Sequence, residues 1–306
     1  MNLSQVVEGF FIVRRTRLAA TTITNYGYCY DKLLAHFGPD HPFADIEAED
    51  IRCFLDDLRD TGLSERSIYD NLAICSTLWS FAQREFGFPH VVKGIERPKY
   101  EEKLIVPFSA DEVKALVTAA EWTSTWDTRT GKQIRSKRPT ARRDVAIILT
   151  LLDTGIRVSE LCALTVKDYQ QESGRLHISH GKGNKARFVY AGVRAQKAIW
   201  RYLLERDRVR PRDPLFATKT DNALHKNNLR HTLNQIAENA GVDNVHPHRF
   251  RHTCATEFLR NGGNVFELKR ILGHEKLATV EIYLELATVD IQRAQQEHSP
   301  ADKWRL

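Results

Sequence analysis

Residues 93–107, KGIERPKYEEKLIVP, hold two prolines, dense charge and no sustained apolar period. Such a stretch builds no core, because proline removes backbone donors and the charges stay solvated. It divides the 306-residue chain into parts that must each bury their own apolar surface. Two domains are expected, 1–92 and 108–306, joined by a linker over 93–107. Apolar residues make up 42% of the chain and charged residues 27%, which excludes a disordered polymer. The longest strongly apolar run, near Ala146–Leu152, is far too short to cross a bilayer. The opening MNLSQVVEGF lacks the basic start and cleavage site of a secretory signal. Cys29, Cys53, Cys75, Cys162 and Cys254 are scattered and form no CxxC pair, so neither a disulfide framework nor a cysteine metal site is expected. A reducing, cytoplasmic setting follows as an expectation.

The first part reads as four helices with short connections, a small bundle. Val6, Val7, Phe10, Phe11 and Val13 mark the first. Ile23, Tyr26, Tyr30, Leu33, Leu34 and Phe37 mark a second, with Thr22 placed to cap it and Gly38, Pro39 and Pro42 to end it. Ile51, Phe54, Leu55 and Leu58 lie on one face of a third that stops at Gly62. Ser64 can cap the fourth, which buries Ile68, Leu72, Cys75, Leu78, Trp79 and Ala82 and ends at Gly87.

The second part is mainly helical with a small sheet. Ser109 and Glu112 form a capping-box pattern. Val145–Leu152 is a strongly apolar helix and the expected core element. Leu176 and Ile178 alternate with polar residues, as do Phe188 and Tyr190, around Gly181–Lys185. That pattern predicts a β-hairpin with a glycine-rich turn.

The net charge of +6 is unevenly placed: residues 1–100 sum to −3 and residues 101–306 to +9. Seven cations (Arg129, Lys132, Arg135, Lys137, Arg138, Arg142 and Arg143) fall within residues 129–143, with no acid among them. The excess points to a polyanion. The basic stretch is expected to stay extended, as a solvated surface loop or as an arm that tracks the charges of a polyanion, with Trp122 or Trp126 packing its base.

Four short motifs follow in order: Thr154–Leu161 (TGIRVSEL), Gly181–Arg187 (GKGNKAR), His248–Arg251 (HRFR) and Leu272–His274 (LGH), with Tyr283 nine residues beyond the last. Each is common by itself. A lysine in a glycine-rich turn is usually solvated, and a helical His or Tyr is usually a satisfied core residue. Arg157 and Arg251 are harder to dismiss. Neither can shed its proton, so each needs an anion if buried, and Glu160, three residues after Arg157, can brace only one of them. His248 and Arg251 share a helical face.

The ordered set resembles the tyrosine recombinase (phage integrase) family, in its Xer-like and mobile-element integrase types, over nearly the whole chain. The resemblance implies a mainly α fold with a small β-sheet: an N-terminal four-helix DNA-binding bundle, then an α+β catalytic domain. It implies a site-specific recombinase that cleaves and rejoins DNA through a 3′-phosphotyrosyl intermediate. Tyr283 would be the nucleophile. Arg157 and Arg251 would hold the non-bridging oxygens of the scissile phosphate. His248 and His274 would add hydrogen bonds and help take the phenolic proton. Lys182 would protonate the departing 5′-oxygen, and Glu160 would support Arg157. Neither cofactor nor metal is implied. The implied partner is double-stranded DNA, bound as a homotetramer on paired sites at the bacterial nucleoid, with no membrane and no small-molecule substrate. The tail 289–306 is expected to dock on a neighbouring subunit. Arg129, Lys132, Arg135, Lys137, Arg138, Lys185 and Arg187 are the expected DNA contacts. The basic stretch is longer than expected for Xer types, which leans the reading towards a mobile element. Two other readings remain: type IB topoisomerase-like relaxation, and a non-catalytic DNA-binding regulator. The small helical N-terminal domain and the tail speak against the first, and an intact Tyr283 with both arginines against the second.

Overall fold

A computed structural model describes residues 1–101, 105–123, 126–127, 133–179, 186–273, 280, 283–284, 299, 301 and 304, with the backbone alone at 126–127 and 133–134. The chain forms two compact units, residues 1–103 and 104–306.

The first unit holds α1 (Leu3–Arg14), α2 (Ala20–Phe37), α3 (Ala48–Asp60) and α4 (Glu65–Phe86). Asn2 and Gln5 form a capping box on α1, and Ser64 accepts from the Ser67 amide at the start of α4. The second helix begins at Ala20 with no side-chain cap, two residues before the expected Thr22. The apolar stripes converge on one core in which Tyr30, Phe54, Trp79 and Phe81 are fully buried. Phe10 stands edge-on to Tyr30 at 5.4 Å and to Phe81 at 5.5 Å. Truncating a ring such as Trp79 to Ala would cost about 3–5 kcal/mol.

The start of the expected linker belongs to this core. Val91–Gly94 is a short 3-10 helix, and Val92 and Ile95 are buried with the helices. Arg97 donates to the Tyr69 hydroxyl at 3.0 Å, and the Arg66 guanidinium lies 4.7 Å over the Tyr100 ring. Apolar residues at 92 and 95 suffice to seat the segment, although its charge and Pro98 read as a free connection.

The second unit is built around α6 (Ala141–Thr154), which packs against α5 (Ala110–Glu121), α8 (Val193–Leu203) and α10 (Pro247–Arg260). Ala146, Ile147, Ile148 and Leu151 are buried. Ser109 and Glu112 make the expected capping box. Helices α7 (Val158–Ala163), α9 (Lys226–Ala240) and α11 (Val265–Leu272) complete the helical set described. An antiparallel sheet of β3 (Tyr169–Gln170), β4 (Arg175–Ile178) and β5 (Arg187–Tyr190) lies in the order β3-β4-β5, with Leu176 opposite Val189. The expected hairpin is therefore present with an added strand, and its turn, 180–185, lies outside the described residues. One face of β5 is the reverse of the simplest reading of its alternation. Val189 is buried, while Phe188 and Tyr190 face out, because Phe188 covers the Arg175 guanidinium at 4.8 Å and the His177 ring at 5.0 Å.

The described part of the basic stretch is paired with the segment before it and does not stand free as an arm. Strands β1 (Trp126–Asp127) and β2 (Gln133–Ile134) pair antiparallel, and Trp122 bridges to Lys137. Carboxylates from outside the stretch meet its last cations. Arg138 and Arg143 both reach Asp144, and Arg142 reaches Glu205. Among the described residues, no helix is long and apolar enough to cross a membrane.

Candidate active site

The site forms where three segment ends meet. The first is the junction of α6 and α7. Gly155 caps α6 in the left-handed region at φ +58°, where a Cβ would lie 2.9 Å from the Leu272 side chain. The close approach and the backbone angle together require glycine. The turn it makes puts Arg157 at the N-cap of α7 and Glu160 one turn inside it. The Arg157 amide and its Nη1 donate to Glu160 at 2.8 and 3.0 Å. This is the brace expected from their spacing.

Arg187 on β5 is the second donor to the same carboxylate. Its Nη1 and Nη2 donate to the two oxygens of Glu160 at 2.8 Å each, and its Nε donates to the Ile271 carbonyl at 2.8 Å. Arg187, an expected DNA contact, has each nitrogen of its fork engaged within the protein, and its side chain is 11% exposed. Gly273, capping α11 at φ +66°, lets the Arg187 side chain pass, since a Cβ there would lie 3.2 Å from it. Burial disfavours the charged form of Glu160. The Arg187 hydrogen bonds, the Arg157 amide and the two arginine charges outweigh it and hold the carboxyl below its ordinary pKa.

Helix α10 supplies the third set. His246 caps it and Pro247 opens it. His248, Arg251 and His252 then follow at helical spacing. Arg251 is buried, and its Nη1 and Nη2 donate to the carbonyls of Gly155 at 2.7 Å and Leu272 at 2.6 Å. Burial, then the nearby Arg157 charge, push its pKa down to about 10, so it stays cationic at neutral pH. The neighbouring Arg249 points elsewhere. It lies 3.9 Å over the Phe108 ring and pairs with Glu112 at 2.8 Å, a structural fastening of the unit's first segment.

Tyr283 is 2% exposed and packs with Ala255, Leu259, Leu268, Leu272 and Val280. Its phenol hydrogen-bonds Arg251. Burial raises the phenol's pKa, while Arg251 and then Arg157 partly oppose that. The proton is therefore retained at rest. The cluster sets three guanidinium groups, those of Arg157, Arg187 and Arg251, near one carboxylate, which pairs with the first two. The excess positive charge suits an anion such as a phosphate diester.

His248 is solvent-accessible, and its Nε2 lies 3.2 Å from Nε2 of His252. Partial burial, then Arg251, His246 and Arg157, lower the His248 pKa. His252 is buried, and its ring stands 5.0 Å from that of Tyr283. Sequence reading passed over His252, although its i, i+4 spacing from His248 marks a shared helical face.

Lys182 and His274 lie outside the described residues, as do Arg129, Lys132 and Lys185. Of the remaining expected DNA contacts, Arg135 and Lys137 are exposed and lie over the Trp122 ring at 5.7 and 5.8 Å. Arg138 does not join them at the surface. Its side chain is 14% exposed and turns in to Asp144, 3.5 Å away, because a carboxylate that is itself buried needs a counter-charge.

Residues 106–289 match the phage integrase family. The tyrosine recombinase XerC of Bacillus subtilis (strain 168) is 27% identical over 84% of this chain and 83% of its own length. XerC of Anoxybacillus flavithermus is 32% identical over 78% of this chain and 77% of its own. Among solved structures, the Tn1549 transposon integrase in complex with circular intermediate DNA matches with a TM-score of 0.79 and 18% identity, covering 97% of this chain and all of that one; that likeness is one of fold.

Proposed function

The chain belongs to the phage integrase family of tyrosine recombinases, and we propose that it cuts and rejoins DNA strands at a specific site through Tyr283. It is a site-specific recombinase. The observation that carries the residue assignment is the meeting of Tyr283 with Arg251, beside Arg157, from segments 126 residues apart in sequence.

The Tyr283 oxygen attacks the scissile phosphorus, and the 5′-oxygen of the next nucleotide leaves. A 3′-phosphotyrosyl link forms that keeps the diester's energy for rejoining. Charge gathers on the non-bridging oxygens, where the forks of Arg157 and Arg251 donate. Removing one such donor group typically costs about 3–4 kcal/mol in the transition state. Arg251 already lies against the nucleophile, so one guanidinium couples phosphate binding to release of the phenol. His248 adds a donor at the exposed edge. By family resemblance, Lys182 protonates the leaving 5′-oxygen and His274 joins the phosphate contacts. For exchange between duplexes this reading adds a homotetramer on two paired DNA sites at the nucleoid, with tail-to-neighbour docking.

The test starts by selecting bound duplexes from a random-sequence pool. Supercoiled plasmids then carry zero, one or two copies of the selected sequence. Deletion or inversion that needs two copies is expected. Relaxation without any copy would favour a topoisomerase-like activity, and binding with unaltered DNA would favour a regulator.

A further inference from the structure

The pair of imidazoles on α10 fixes a proton. His248 Nε2 and His252 Nε2 are 3.2 Å apart, so one nitrogen carries the hydrogen and the other accepts it. The two arrangements differ at the far side of His252. Its Nδ1 is buried and has no hydrogen-bond partner among the described residues. Were His248 the donor, His252 would hold its own proton on that Nδ1, an orphaned buried N–H. A bare ring nitrogen there is the less costly state, since orphaned N–H groups are rarer than under-used acceptors. His252 therefore donates from Nε2, His248 accepts at Nε2, and the His248 proton sits on Nδ1. Burial, then the charges of His248, His246 and Arg251, hold the His252 pKa at about 4, so its ring is neutral and can fill this role near neutral pH.

We propose that His252 is a positioning residue that fixes His248 as the Nδ1–H tautomer, so that His248 meets the scissile phosphate as a hydrogen-bond donor and does not take the Tyr283 proton. In that form both ring nitrogens of His248 are committed: Nε2 by its bond to His252, and Nδ1 by its proton. The phenolic proton then passes to the other base of the recombinase reading, His274. Because His252 also packs against the Tyr283 ring, one residue orients both a phosphate donor and the nucleophile. The catalytic consequence rests on the recombinase reading; the tautomer itself does not.

The full chain, labelled with ¹⁵N in its histidine rings, gives the test without DNA. Long-range ¹H–¹⁵N spectra at neutral pH should show His248, identified by its loss in His248→Asn, with a protonated Nδ1 and a bare Nε2. His252→Gln, which keeps an N–H donor, should leave that pattern unchanged. His252→Phe, which keeps the ring and removes the donor, should release His248 to a mixture of tautomers. On a nicked duplex carrying the selected site, His252→Phe should cleave about 10- to 100-fold more slowly, as when a partner orienting a metal-bound imidazole is removed, with binding unchanged and His252→Gln near wild type. A wild-type His248 protonated at Nε2 would overturn the proposal whether or not the Phe variant folds. So would His252→Phe cleaving at the wild-type rate. If the wild-type protein forms no Tyr283 adduct on that duplex, the recombinase reading fails, while the spectra still decide the tautomer.

Discussion

Arg187 grips Glu160 through two parallel hydrogen bonds of 2.8 Å, one to each carboxylate oxygen. Glu160 in turn holds the amide and Nη1 of Arg157. The arginine assigned to the phosphate is thus aimed by a buried carboxylate that a second, half-buried arginine keeps charged.

Arg187→Ala should therefore destabilise the catalytic unit, by less than the about 3–5 kcal/mol of a buried charge left wholly unpaired, because Arg157 still holds Glu160. Urea unfolding measures this. Arg187→Lys keeps the charge and loses the fork, so it should recover part of the stability while cleavage stays slow. Weaker DNA binding with unchanged stability would instead return Arg187 to the DNA surface.

The same carboxylate sets an acid limit. The folded-state pKa of Glu160 lies below its ordinary 4.5, so its contribution is complete above about pH 4.5 and is lost as pH falls through the folded value. Unfolding free energy measured from pH 6 downward should drop over that window. In Glu160→Gln the drop should be shallower from a lower plateau. An equal slope in both proteins would remove Glu160 as a source of the acid sensitivity.

Much of this was legible in the sequence where a local rule was enough. Ser64, Ser109, Gly87 and Gly155 mark helix ends because capping is decided within a few residues. Arg157 and Glu160 meet because their spacing is three. What the sequence hid is set by distant partners. Nothing near Arg187 reveals that Glu160, 27 residues earlier, will take its fork. Nothing in the acid-free run 129–143 reveals Asp144 and Glu205 as its counter-charges. Arg249 and Arg251 look alike in HRFR, and the tertiary fold alone sends one to Glu112 and the other to Tyr283.

The two phosphate arginines should separate when stability is measured beside cleavage. Arg251 is buried and holds the Gly155 and Leu272 carbonyls, so Arg251→Ala should lose both folding stability and cleavage. The Arg157 side chain is 31% exposed, and Arg157→Ala should lose cleavage with a smaller change in unfolding midpoint. Equal destabilisation by both would mean that Arg157 is structural first. Near wild-type cleavage in either variant would remove its assigned role.

Tyr283→Phe should abolish the covalent protein–DNA adduct on a nicked duplex, since the phenolic oxygen is the assigned nucleophile. Site binding should be nearly unchanged. Stability should shift by about 1 kcal/mol or less, because the variant loses one hydrogen bond while the buried ring remains. A denaturing gel reads the result. A persisting adduct would mean that another side chain attacks.

Of the described cations beside the paired strands β1 and β2, two kinds are seen. Arg135 and Lys137 stand exposed over the Trp122 ring with no ion pair to a carboxylate among the described residues, and are expected to meet backbone phosphates. Arg138 is turned in to Asp144. Phosphate contacts release counterions, with a slope of log K against log[salt] of roughly −0.9 for each phosphate neutralised. Replacing Arg135 and Lys137 together by Gln should weaken binding to all sequences evenly and shrink the salt slope by about two. Arg138→Gln should leave the slope unchanged and lower the unfolding midpoint, because it removes a counter-charge from a buried carboxylate. If Arg138→Gln moves the slope as much as the exposed pair does, Arg138 leaves Asp144 when DNA binds. If the pair moves nothing, the basic stretch is a solvated surface element, and the unit's positive charge is read elsewhere.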